Sequence, residues 1–217
     1  MMAVAKAIES SDKDFIKKTA KNILELDGQL AAARFLAQTL FAGIQELGGA
    51  PYFGHLERVA NGAGPEERDM AIGYMHDLVE DIDGWEFEDV EDIGFDDYVM
   101  KGLRAVTKDD NDPYYDEMVE VGKVPQGTRV KRSDLRDNTN VLRLGRVPTA
   151  TDIERTRKYF LAWKYLTDVD SGVTERGTPF VKWMQSKPSE MQDWELVQKY
   201  STEPLPPANS LSRQFAP

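Results

Sequence analysis

Apolar residues recur every three to four positions along almost the whole chain, and no alternating stretch is long enough to build a sheet. This period dictates helices. Residues 13–26 carry Phe15, Ile16, Ile23, Leu24 and Leu26 on one face, with Asp12 as a capping residue and Gly28 as a stop. Residues 29–47 form a second amphipathic helix closed by Gly48-Gly49, and APYFGHLERVANGAG is a turn leading into a short helix. Pro65-Glu66-Glu67 opens a helix expected to run to about Asp81. Residues 86–107 make one or two helices, Asp109–Pro113 a loop, and PYYDEMVEVGK a short helix. TRVKRSDLRDNTNVLRL and TDIERTRKYFLAWKYLTDV are long helices, the latter begun by Thr151 or Asp152. TPFVKWMQ and SEMQDWELVQKY are short ones. The expected fold is all-α: one compact helical bundle over 29–170, an N-terminal helix in 1–28, helices packed on the domain in 171–202, and a Pro/Ser-rich tail in 203–217.

At 217 residues the chain can bury a sizeable core. No apolar run approaches the roughly 20 residues of a membrane span, and the first residues lack the apolar core of a signal peptide. With no cysteine, thiolate zinc sites and disulfides are excluded; a cytoplasmic protein without membrane contact is expected. A net charge of −11 argues against a nucleic-acid partner. The charge is uneven. Residues 66–97 hold fourteen carboxylates against one base, Arg68, whereas 129–158 hold nine bases and four acids. Either an acidic metal-holding half faces a basic half that takes an anionic substrate, or two solvated faces differ in sign.

One heptapeptide concentrates chemistry: MHDLVED, residues 75–81. On a helix His76 stacks on Glu80 and Asp77 on Asp81. Three carboxylates within a turn raise one another's pKa unless a cation or protons neutralise them. A divalent metal would do so, held by an imidazole and a carboxylate of the first turn, with the next turn's acids placed to move the protons of an attacking water. Further ligands are available in His55, in the PYFGH turn, and Asp134, in VKRSDLRDN. Singly, each residue has a plainer reading: His76 as a satisfied, partly buried histidine, Asp134 paired with Lys131 or Arg136, the acids as a solvated face.

Together, GAPYFGHLERVA, MHDLVED, AVTK, RVKRSDLRDN and RTRKYFLAW, spanning residues 49–163, resemble the HD-domain metal-dependent phosphohydrolases. More narrowly, the chain is similar to the (p)ppGpp hydrolase domain of the RelA/SpoT family and its small stand-alone relatives of the metazoan SpoT homologue type. The resemblance implies that His55, His76, Asp77 and Asp134 bind one divalent metal, usually Mn²⁺. A site of two imidazoles and two carboxylates also admits Fe, Co, Ni or Zn. It implies that Glu80 and Asp81 orient and deprotonate the attacking water, and that Lys131, Asn138 and Tyr159 contact a nucleotide substrate. Tyr159, in an apolar helix, is equally suited to the core. The implied reaction removes the 3′-pyrophosphate of (p)ppGpp, giving GDP or GTP and pyrophosphate.

The chain departs from that family around the first ligand histidine. Relatives carry an Arg-Arg-Lys cluster about ten residues before the first ligand histidine; here GIQELGG puts Ile44 and Gln45 there, followed by Glu46. The histidine that often precedes the cluster is also missing, and Leu56 replaces the proline usual after that ligand. Arg58 or bases of the later helices are candidates to replace the lost cations. Three readings stay open: an alarmone hydrolase, an HD phosphohydrolase for another nucleotide or phosphoester, and a non-catalytic HD module that binds a nucleotide or a protein. The roughly 50 residues after Trp163 are too few for a synthetase domain.

Overall fold

The computed structural model describes residues 10–107 and 113–201. The expected loop residues Asp109 to Asp112 and the tail 203–217 lie outside them. Among the described residues the chain is all-α, with no strand and one isolated bridge between Gln45 and Pro51. The helices are α1 (Ser10–Asp27), α2 (Gln29–Leu40), α3 (Phe53–Gly62), α4 (Glu67–Met75), α5 (Leu78–Asp81), α6 (Phe87–Ile93), α7 (Asp97–Val106), α8 (Tyr114–Lys123), α9 (Pro125–Asn138), α10 (Ala150–Asp170), α11 (Phe180–Gln185) and α12 (Trp194–Lys199). None is long and apolar enough to cross a membrane.

Four boundaries differ from the sequence expectation in ways that shape the site. First, α2 ends at Leu40, well short of residue 47. The stop is Gly43 at φ +82°, a left-handed conformation that suits glycine. Beyond it the backbone folds back on itself: Glu46 N–H donates to Ala50 O at 2.8 Å, Gly49 N–H to Glu46 O at 2.8 Å, and Tyr52 N–H to Ile44 O at 2.9 Å.

Second, the helix expected through Asp81 breaks after Met75. Asp77 sits at φ −99°, ψ 2°, in the sparsely allowed region between helix and strand, and a new turn begins at Leu78. Third, α9 starts at Pro125, whose missing N–H costs nothing in the first turn, and ends at Asn138. Residues 141–144 then form a separate 3-10 turn.

Fourth, the N-cap of α10 is Thr149, not Thr151 or Asp152. Its hydroxyl accepts from Asp152 N–H, while the Asp152 carboxylate accepts from Thr149 N–H, so Asp152 is the partner in a capping box. Asp12, likewise, lies within the first turn of α1.

Buried apolar residues fall into two groups. One is built from α1 to α7 with Val130; the other from α8, α10, α11 and α12 with Leu135. Helix α9 belongs to both: it packs against α3, α4 and α7 on one side and α8 and α10 on the other. At 25 cal/mol per Å² of apolar surface, each fully buried Leu or Phe contributes roughly 1.5–3 kcal/mol.

Candidate metal centre

Four helical segments bring the candidate ligands together. His55 lies in the first turn of α3 rather than in a free turn, His76 and Asp77 at the break between α4 and α5, and Asp134 on α9. His55, His76 and Asp134 are buried. His55 Nε2 is 3.6 Å from Asp77 Oδ2 and 3.5 Å from Asp134 Oδ1. His76 Nε2 is 3.1 Å from Asp77 Oδ2 and 3.6 Å from Asp134 Oδ1. His55, His76 and Asp77 form the tightest set, with ligand atoms within 4.8 Å of one another; Asp134 faces both imidazoles.

The outer nitrogens explain this aim. His55 Nδ1 lies 2.6 Å from Asp137 Oδ2, and His76 Nδ1 lies 2.8 Å from the Gly73 carbonyl. Both partners only accept, so both Nδ1 atoms carry hydrogen, which leaves each Nε2 as the ring atom turned to the centre, where it would be the ligand atom to a metal. His76 Nε2 is buried and makes no hydrogen bond of acceptable geometry, although Asp77 is near.

Bonds of about 2.1 Å spread at tetrahedral or octahedral angles separate ligand atoms by roughly 3.0–3.4 Å. The separations found here run from 3.1 to 3.6 Å, one inside that range and three just beyond it. An orphaned imidazole nitrogen among carboxylates near metal-ligand spacing fits a divalent ion.

The electrostatics show the same demand for positive charge. Burial opposes charging His76, but Asp77 and Asp134 outweigh it and hold its pKa well above the usual histidine value. Burial likewise pushes Asp77 up, yet His76 and His55 pull it below its ordinary value. Asp134 is held well below the carboxylate range against burial, chiefly by Lys131 and then by the two imidazoles. A metal ion would supply that charge directly.

Glu80 and Asp81 face the same cleft, of about 470 Å³. Glu80 is exposed and Asp81 half-buried. Burial, with Asp77 and Glu80 nearby, pushes the Asp81 carboxyl up to about 7, where a general base is most effective at neutral pH. Lys131 and Asn138, expected to meet substrate, also brace a ligand: Lys131 Nζ lies 2.9 Å from Asp134 Oδ2, and Asn138 Nδ2 donates to Asp134 Oδ1 at 2.5 Å. Both line the cleft. Tyr159 packs on the second core group and lines the cleft as well. At that end Lys158 Nζ sits over three rings, 4.2 Å from Tyr114, 5.2 Å from Tyr159 and 4.7 Å from Tyr200.

Two supporting residues were missed in the sequence. Asp137 holds His55 and is itself held by Arg58 Nε at 2.7 Å and by Arg143. These partners draw its pKa down to about 2 against burial. Tyr52 donates its hydroxyl to Asp77 Oδ2 at 2.5 Å. Each stands three residues from a candidate ligand, Asp137 after Asp134 and Tyr52 before His55, which is the signal that would have found them.

No known family model matches the sequence, and no characterised protein matches it.

Proposed function

We propose that the protein is a metal-dependent phosphohydrolase of the HD class acting on a nucleotide, with the 3′-pyrophosphate of (p)ppGpp as the first substrate to test. One observation carries the reading: two imidazole nitrogens and two carboxylates converge near metal-ligand spacing, with an acid of pKa about 7 four residues beyond the Asp77 candidate ligand. His55, His76, Asp77 and Asp134 would hold the metal, and Mn²⁺ suits that ligand set. When bound, such an ion supplies Lewis acidity toward a phosphate oxygen and acidifies water.

The chain's own groups do the rest. Asp81, or Glu80 beside it, accepts the proton of the attacking water. Lys131, Arg155 and Lys158, all on the cleft, offset the negative charge of the phosphate. Hydrolysis adds the water oxygen to phosphorus, breaks the bond from that phosphorus to the ribose 3′ oxygen, and leaves that oxygen protonated. The test is incubation of Mn²⁺-loaded protein with ppGpp and measurement of pyrophosphate and GDP. Absence of both from folded, metal-loaded protein rejects that substrate, and a nucleotide panel then separates a different phosphoester from a non-catalytic module.

A further inference from the structure

Two residues that line the cleft, Glu46 and Arg143, belong to a ring of four ion-paired side chains with Arg58 and Asp137, which line a neighbouring pocket. Glu46 Oε1 accepts from Arg58 Nη2 at 2.7 Å, and Glu46 Oε2 is 2.7 Å from Arg143 Nη2 and 3.0 Å from Arg143 Nε. Asp137 completes the ring, bonded to Arg58 and Arg143 through its carboxylate, while its backbone carbonyl accepts from Arg143 Nη1 at 2.9 Å. The ring joins the 41–51 turn, α3, α9 and the 3-10 turn. It is docked tightly: a Cβ on Gly48 would lie 2.0 Å from the Arg143 carbonyl oxygen.

The consequence for a ligand follows from counting donors. Arg143 lines the cleft, but its Nε, Nη1 and Nη2 are all engaged by carboxylates or by the carbonyl of Asp137. It has no planar pair of hydrogens left for a bidentate grip on phosphate. The cleft's other cations are Lys131, Arg155 and Lys158, four in all with Arg143, against six carboxyl groups that include Glu46. A divalent ion brings this balance to about zero, so there is no surplus of positive charge for a chain of phosphates.

We propose that Glu46, by holding Arg143, is a specificity-determining residue that tunes the cleft to a nucleotide with a single phosphoryl group at the reacting position and against one with a diphosphate there. This rests on the phosphohydrolase reading but not on (p)ppGpp as its substrate: it narrows the substrate class of that site from a 3′-diphosphate to a monophosphate. Glu46 repels an added phosphate and also withholds the guanidinium that would bind it. Its own carboxylate is nearly buried, with 7% of the side chain exposed.

The experiment uses full-length, Mn²⁺-loaded protein. Calorimetry measures binding of a nucleoside 5′-diphosphate bearing a 3′-monophosphate and of the same compound bearing a 3′-diphosphate, in an Asp81→Asn background that suppresses turnover. The expected result is tighter binding of the 3′-monophosphate. Adding Glu46→Gln should shift the ratio of dissociation constants roughly tenfold toward the diphosphate. Mn²⁺ affinity and helical circular dichroism should hold, and a further Arg143→Gln change should remove the gain. An unchanged ratio in Glu46→Gln with Mn²⁺ affinity intact overturns the proposal, as does a gain that survives without Arg143. If wild-type protein hydrolyses neither compound, both are rejected as substrates and the nucleotide panel tests the phosphohydrolase reading by itself, while the binding ratio still decides the role of Glu46.

Discussion

The two core groups give the cleft different kinds of residue. The group built from α1 to α7 supplies His55, His76, Asp77, Glu80 and Asp81; the group built from α8 and α10 to α12 supplies Tyr114, Arg155, Lys158 and Tyr159. On the first side the inner groups are buried and fixed at short range by Tyr52, Gly73 and Asp137. On the second they are partly exposed, and Lys158 lies over the Tyr114 and Tyr200 rings. A metal ion tolerates little displacement of its ligands, whereas recognition of an organic phosphate can use adaptable contacts. Under the proposed function, metal affinity and proton transfer would fall to the first group and ligand choice to the second wall and the Glu46 ring.

Four changes break or sharpen this comparison, in descending order of effect. His76→Ala removes a converging nitrogen and leaves buried carboxylates facing one another. Mn²⁺ affinity measured by calorimetry should fall by more than the roughly 100-fold typical of losing an outer partner. Asp81→Asn should lower hydrolytic turnover about 10²–10⁴-fold while Mn²⁺ affinity holds within a few-fold.

Asp81 also makes a pH prediction for the metal-free protein. Its folded pKa of about 7 lies above the ordinary 3.8, so between those values the folded chain keeps a proton that the unfolded chain has released. The group therefore costs stability progressively as pH rises across that window. Asp81→Asn should raise the melting temperature most at pH 8, with the gain shrinking toward pH 5. A bound metal would lower the pKa of Asp81 and narrow the difference.

Asp137→Ala should weaken Mn²⁺ binding about 10–100-fold by freeing the His55 ring, and Asp137→Asn, which still accepts from Nδ1–H, should recover part of it. The mildest effect on the site is expected from Leu161→Ala, in the second core group. Denaturant unfolding should show a loss of about 2–5 kcal/mol, with Mn²⁺ affinity unchanged below the unfolding transition. A matched loss of metal affinity would show that the two groups do not act separately.

The helical class was legible because its period is local, and so was the order of candidate ligands in PYFGH, HDLVED and VKRSD. Helix ends were less so. Gly48-Gly49 reads as a stop, but Gly43 ends the helix first, because nothing in a single strand of sequence says which glycine turns left-handed. The charge split was half legible. Asp77, Glu80 and Asp81 from the acidic stretch and Lys131, Arg143, Arg155 and Lys158 from the basic stretch do meet at the cleft. Many of the rest serve the fold: Asp69 is held by Arg129 and Tyr98, Asp89 by Lys13 and Lys17, and Asp170 by Arg132.

By itself the sequence determined that the chain is helical, that its only two histidines stand in PYFGH and MHDLVED, and that the 41–51 stretch carries Ile44, Gln45 and Glu46 and no base. These are properties of residue type and spacing within a turn or two. Tertiary packing alone decided that Asp137, 82 residues from His55, fixes that imidazole, and that Arg143, 97 residues from Glu46, is spent on it. Such pairings depend on how α3, α9 and the 41–51 turn lie against one another. Burial also moved Asp81 to about 7, by removing water that no sequence pattern records.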